Sequence, residues 1–250
     1  MRPIVGKYIP KKSLIHSLDP RCKLLCLLLI STEVILVKSN LFYILPFAVV
    51  SFGMIYSKIK ISTYLKGLKS ILFLLIFAAV VQLFYGGISS AFFIFLRLSL
   101  ILIAAEIFTF TTSPTQITKS MEFLLRIFGF SRKSAQEFSM IMTIAIRFAP
   151  IMMEEAQRIT KAQIARGAPI ESGKLFQRIK ALTAIIVPLM ISAIRKAEEL
   201  SLAMEARRYR PGVKRTNYKR NKWQIPDTVT ITISAGSLIA LLLLQLILSF

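Results

Sequence analysis

The twenty-two residues from Val229 to Phe250 contain no charged side chain. That is the length of helix needed to cross a bilayer, for which about 20 apolar residues suffice. Four more apolar stretches precede it, at about Cys22 to Val37, Leu41 to Tyr56, Ile71 to Tyr85 and Ile88 to Thr111. None alternates apolar and polar residues as the strands of a membrane barrel do. The expected class is therefore all-α: a polytopic membrane protein with about five transmembrane helices. The first stretch does not read as a cleavable signal peptide, because it begins after a polar arm and lacks small residues set for cleavage.

Charge sets the expected orientation. The chain carries 33 Lys and Arg against 12 Asp and Glu, a net of +21, although 55% of its residues are hydrophobic and its mean hydropathy is +0.64. A soluble domain could not hide that apolar surface under that self-repulsion, so the two properties occupy different regions. Arg2, Lys7, Lys11, Lys12 and Arg21 precede the first apolar stretch, and Lys58, Lys60, Lys66 and Lys69 lie between the second and third. The first connection holds only Lys38, and Gly86 to Ser90 holds no charge. By the positive-inside rule the N-terminus is cytoplasmic, four crossings return the chain to that side, and Phe250 lies near the outer face. The expected organisation is an arm and four transmembrane helices over 1–112, a cytoplasmic helical domain over 113–224, and a last crossing over 225–250.

The segment from Ser113 to Lys222 has 21 Lys and Arg against 8 Glu, a net of +13. Ser113-Pro114 is a helix start and Gly129 a stop; Ser131 opens a second helix that ends before Gly167 and Pro169. A third runs from about Lys174 to Arg208, before Pro211-Gly212. Pro150 and Pro188 lie inside the second and third helices and should kink them. Both long helices are amphipathic, and both end in the same spacing, Ala-x5-Ala-x2-Ala-Arg. The copies are Ala156, Ala162, Ala165, Arg166 and Ala197, Ala203, Ala206, Arg207. Arginine suits a helix C-terminus on electrostatic grounds alone, but small residues beside it leave the guanidinium exposed. Two such ends read as a duplicated docking tip.

These residues carry a family resemblance. Gly6-Lys7-Tyr8, Ser13, His16, Leu18-Asp19-Pro20-Arg21 and Lys23 are similar to the opening pattern of the transmembrane component of energy-coupling factor transporters, the CbiQ-type permease family. Ala165-Arg166-Gly167 resembles that family's first Ala-Arg-Gly motif, and Ala206-Arg207-Arg208 the second, with arginine in place of the glycine. The resemblance implies a membrane scaffold that is not itself an enzyme. Its two tips would dock on a pair of ABC-type ATPases, EcfA and EcfA', and its coupling helices would hold a substrate-binding membrane S component. ATP and magnesium would be bound by the ATPases, with no cofactor on this chain, and the cargo would be a vitamin or a metal ion. The other reading of the same features is a self-contained channel or carrier with a cytoplasmic regulatory domain.

Other chemistry finds little support. Gly167 to Lys174 has five residues between its glycines and Leu175 where a phosphate loop needs Ser or Thr. His16 is the only histidine, which leaves no histidine-rich metal site. Cys22 and Cys26 lack a nearby histidine to complete a zinc site and read as small apolar residues. Glu33 and Glu106, inside apolar stretches, read as packing or ion-pair groups, with Arg97 a candidate partner. Positive-inside topology accounts for the charge without nucleic acid, and the basic segments also suit anionic lipid headgroups.

Overall fold

The computed structural model describes residues 8–37, 40–168, 175–210, 213 and 223–248. Among them the only regular elements are helices. In chain order these are α1 (Leu14–Ser17), α2 (Pro20–Leu36), a 3₁₀ turn (Asn40–Tyr43), α3 (Ile44–Ser57), α4 (Ile61–Thr111), α5 (Pro114–Ile127), α6 (Arg132–Ala165), α7 (Leu175–Ala206) and α8 (Ile225–Leu248). Among these residues the chain divides into two compact units, one made of 8–123 and 223–248 and the other of 124–213.

The first unit is a helical bundle whose runs alternate in direction. α4 is interrupted at Gly87, whose φ of 76° and ψ of −177° suit a residue without a side chain. The third and fourth apolar stretches are thus the two arms of α4, and they fold back on each other. Tyr64 meets Phe110 with ring centroids 5.6 Å apart. A Cβ on Gly67 would fall on the Glu106 carboxylate. Both pairs are nearly equidistant in sequence from the Gly86-Gly87 junction.

Long-range hydrogen bonds give the other directions. Lys23 Nζ donates to the Thr111 carbonyl at 2.9 Å and Arg97 Nη2 to the Val37 carbonyl at 2.9 Å, so the second arm of α4 runs against α2. Cys22 meets Thr230 at 3.2 Å and Gln245 donates to the Leu36 carbonyl at 3.0 Å, so α8 runs parallel to α2. One end of the bundle therefore gathers the starts of α2 and α8, the end of α3 and both ends of α4. The Gly86-Gly87 turn and the α2–α3 connection lie at the other.

The core forms where these runs meet. Val34, Val50, Leu100, Ala104 and Leu241 are buried together, one or two from each of four helices, with Val37 and Tyr43 at one side. A smaller cluster joins Ile59, Tyr64 and Phe110. The outside of the bundle is strongly apolar, with Phe73, Phe84, Tyr85 and Ile88 all exposed. Ile61–Thr111 and Ile225–Ile247 are long and apolar enough to cross a membrane; Ile44–Ser57 is apolar but shorter.

Polar groups within the bundle are tied individually. Glu33 is buried and accepts from Ser237 Oγ at 2.9 Å, while its second oxygen has no partner among the described residues. Arg97 donates to Tyr43 Oη at 3.0 Å and to Val37 rather than to a carboxylate. Cys22 and Cys26 are free thiols.

In the second unit α6 and α7 pack side by side. Gln163, near the end of α6, donates to the carbonyl of Ala184 at 3.2 Å. Tyr209, just past α7, donates to the sulfur of Met140 near the start of α6, at 3.0 Å. The two helices are therefore antiparallel. Both run on past Pro150 and Pro188 without a break. Proline has no N–H to give the residue four earlier, so Pro188 releases the Ala184 carbonyl, and that is the acceptor Gln163 uses.

Candidate docking site

The two arginine tips share one backbone construction. α6 closes on Arg166, and Gly167 then turns into the left-handed region at φ 84°. The Gly167 N–H donates to the Ile164 carbonyl at 2.9 Å and the Ala168 N–H to Gln163 at 3.0 Å. This pair of bonds is the Schellman closure, which satisfies carbonyls that a helix end leaves open. α7 closes in the same way. The Arg208 N–H donates to Glu205 at 2.8 Å and the Tyr209 N–H to Met204 at 2.9 Å, with Arg208 itself at φ 57°.

Arg208 therefore takes the backbone position of Gly167, in a region where a Cβ costs about 1–2 kcal/mol. Replacing the motif glycine leaves the turn intact but makes it more expensive and adds a charge. α5 ends on the same closure, with Gly129 at φ 84° and Phe130 N–H bonded to Leu125 at 3.0 Å.

All six tip residues, Ala165, Arg166, Gly167, Ala206, Arg207 and Arg208, are exposed. The structure brings them together three by three, not as six. Because α6 and α7 are antiparallel, the tips lie at opposite ends of the pair. Met140, beside the α7 tip, and Gln163, beside the α6 tip, are separated by 23 residues of α6, or about 35 Å. The α7 end also forms an open pocket lined by Met204, Arg207, Arg208, Tyr209, Arg210 and Val213. Three cations around Tyr209 suit an acidic counterpart. The α6 tip has one arginine, so the two ends differ in charge while matching in backbone.

A second cluster gives the N-terminal motif a role that its residue types alone did not reveal. Asp19 caps α2, accepting from the Arg21 N–H at 2.9 Å, with Pro20 at the first helical position. Asp227, buried at the start of α8, accepts from the Asp19 N–H at 2.7 Å with one oxygen and from the Gln224 N–H at 2.8 Å with the other. One carboxylate thus joins the N-termini of two helices, where negative charge is favoured. The last carbonyls of α4 are met from the arm and from α2: Ile9 N–H donates to Phe110 at 3.0 Å and Lys23 Nζ to Thr111 at 2.9 Å.

His16 secures the arm. Its Nε2 donates to the Ile9 carbonyl at 2.9 Å, which leaves Nδ1 to accept from Ser13 Oγ at 2.7 Å. Burial holds its pKa below the ordinary value of 6.5. Asp227 escaped the sequence reading, although a carboxylate just after Pro226 at the head of an apolar run is a capping signal. Among the described residues no three His, Cys, Asp or Glu side chains gather as a metal site would require.

The family model described as cobalt transport protein, CbiQ, matches residues 11–218. The energy-coupling factor transporter transmembrane protein EcfT of Thermotoga maritima is 44% identical over 252 residues, covering 96% of this chain and 93% of its own. Its namesake from Staphylococcus aureus is 38% identical over 259 residues, covering 97% of each chain. That from Bacillus subtilis is 35% identical over 246 residues, covering 91% of this chain and 92% of its own. With a family match across most of its length and relatives aligned almost end to end, this chain belongs to the CbiQ family, among the transmembrane components of energy-coupling factor transporters.

Proposed function

We propose that this chain is the non-catalytic coupling scaffold of a primary-active importer. Its two arginine tips dock on two separate ABC-type ATPases, EcfA and EcfA', which bind ATP and magnesium. Its membrane bundle and coupling helices hold an S component that carries a vitamin or a metal ion. The observation that carries this reading is the pair of identically closed, exposed arginine tips at opposite ends of an antiparallel helix pair. Two sites about 35 Å apart suit two partner subunits and not one groove.

The scaffold is a multi-pass protein of the cell membrane with five crossings: α2, α3, the two arms of α4, and α8. The N-terminal arm and the segment 113–224 are cytoplasmic, because the bundle end that gathers Lys11, Arg21, Lys58 and Lys60 is the basic one. The alternation of direction from α2 to α8 supports that count. Cysteines placed at Ser89 and Ser172 should label from opposite sides of the membrane.

At the tips Arg166 and Arg207 are the docking groups, flanked by Ala165 and Gly167 and by Ala206 and Arg208. Guanidinium offers five fixed donors to carboxylates or carbonyls, and removing one partner of a buried charged contact costs about 2–5 kcal/mol. The test is co-purification with the ATPase pair together with ATP-driven uptake in vesicles. Arg166→Ala and Arg207→Ala should each weaken docking by about 30-fold or more, and the double variant should abolish uptake. Lys219→Ala is the control. A double variant with normal assembly and normal uptake would make the tips ordinary helix ends.

A further inference from the structure

The turn between α5 and α6 has no part in the docking just described, yet it exposes three large apolar side chains. Ile127, Phe128 and Phe130 are 57%, 76% and 55% exposed. The Gly129 closure ends α5 with these side chains on an exposed turn. Behind them Ile117, Met121, Leu124 and Leu125 continue the same stripe along α5, at spacings of three and four residues. Phe138 and Ile141, in the first turns of α6, are exposed as well. Three large apolar side chains exposed on one turn mark a contact surface, since singly scattered ones would not.

Two observations select the occupant. The turn is bracketed by Arg126, Arg132 and Lys133, all exposed, with no acid between them. Apolar tips ringed by cations are the complement of an anionic lipid surface, where acyl chains accept the aromatics and headgroups the cations. The second observation is reach. α5 begins at Pro114, three residues beyond the end of α4, so the connecting residues (about 10 Å if extended) and the 14-residue helix (about 21 Å) tether the turn by no more than about 31 Å of chain.

We infer that the Ile127–Phe130 turn is a membrane anchor that inserts Phe128 and Phe130 among the acyl chains of the cytoplasmic leaflet, with Arg126, Arg132 and Lys133 on anionic headgroups. This rests on α4 crossing the membrane but not on the arginine tips. An anchor there would hold α5 along the bilayer, so that movement of α6 and α7 turns about a fixed end.

Tryptophan quenching in nanodiscs tests the anchor on the full chain. Trp223, the one tryptophan, is replaced by phenylalanine, and Phe128→Trp becomes the reporter. The discs are phosphatidylcholine with phosphatidylglycerol, brominated near the glycerol end of the acyl chains or near their middle. Interfacial insertion to about 5–10 Å should give strong quenching by the shallow bromines and little by the deep ones. Arg132→Glu with Lys133→Glu should weaken that quenching in anionic discs and not in pure phosphatidylcholine. Leu242→Trp in the same background, on the exposed face of α8, reports the membrane reading itself. Quenching at Leu242→Trp with none at Phe128→Trp overturns the anchor alone, while loss of both overturns the membrane reading with it. A Phe128→Trp emission that ignores brominated lipid and shifts only when partner subunits bind assigns the turn to a protein contact, and likewise overturns the anchor.

Discussion

Arg208→Gly should make the α7 tip more stable, although it deletes a charged side chain from a proposed docking site. Arg208 sits at φ 57° in the turn that Gly167 makes at φ 84°, and its Cβ there costs about 1–2 kcal/mol. Glycine removes that cost but returns about 0.5–1 kcal/mol through its greater freedom in the open state. The net gain is about 0.5–1 kcal/mol, or roughly two- to fivefold in the closed-to-open ratio of the turn. Hydrogen exchange reads that ratio directly at Tyr209, whose N–H is held by the Met204 carbonyl at 2.9 Å. Protection of Tyr209 should rise two- to fivefold in Arg208→Gly. Gly167→Ala should lower the protection of Ala168 by a similar factor, since its N–H closes the matching bond to Gln163 at 3.0 Å. The two substitutions must act with opposite signs. Unchanged or reduced protection of Tyr209 in Arg208→Gly would refute the shared-closure argument. In docking the variant should separate the two roles of Arg208: a steadier tip with one cation fewer should lose affinity at low salt and little of it at high salt.

Three further outcomes follow from the membrane bundle. Gly67→Ala should destabilise the α4 hairpin, because its Cβ would fall on the Glu106 carboxylate; Glu106→Ala in the same chain should recover much of the loss, read as melting temperature in detergent. Asp227→Ala removes the acceptor of two N–H groups and should cost about 2–4 kcal/mol, whereas Asp227→Asn, which keeps one acceptor oxygen, should cost less. Because burial lowers the His16 pKa from 6.5, its contribution to holding the arm is complete above the unfolded value and is lost as pH falls from there through the folded pKa. Protection of the Ile9 N–H, corrected for intrinsic exchange, should fall between neutral and mildly acidic pH, and His16→Gln should remove most of that dependence.

Local signals predicted local structure well. Ser131 caps α6, accepting from the Ser134 N–H at 3.1 Å, and Gly129 and Gly167 close helices where glycine after a periodic run says they should. The short third stretch, Ile71 to Tyr85, proved to be the later part of a longer helical arm, because the more polar residues from Ile61 to Ser70 are helical as well. At Arg208 the missing glycine leaves the backbone closure in place, since its two hydrogen bonds outweigh one Cβ. Pairings across the chain were not legible. Asp19 with Asp227 and Glu33 with Ser237 join residues more than 200 positions apart, and no periodicity in either segment carries that information. Arg97 looked like a carboxylate partner, yet a hydroxyl and a carbonyl were nearer once the chain turned at Val37.

Pro188 has a consequence beyond its effect on α7. In a helix every interior carbonyl is taken, so nothing polar on the backbone tells a neighbour where along the rod it lies. The proline leaves a single acceptor at Ala184, and Gln163 reads it. Apolar contacts between the two helices would tolerate a slip of one turn, about 5.4 Å, at small cost; this bond would not survive it. Gln163 stands three residues before Arg166, so the mark on α7 sets the reach of the α6 tip. The missing N–H works as a ruler's zero, and the spacing between the two tips is measured from it.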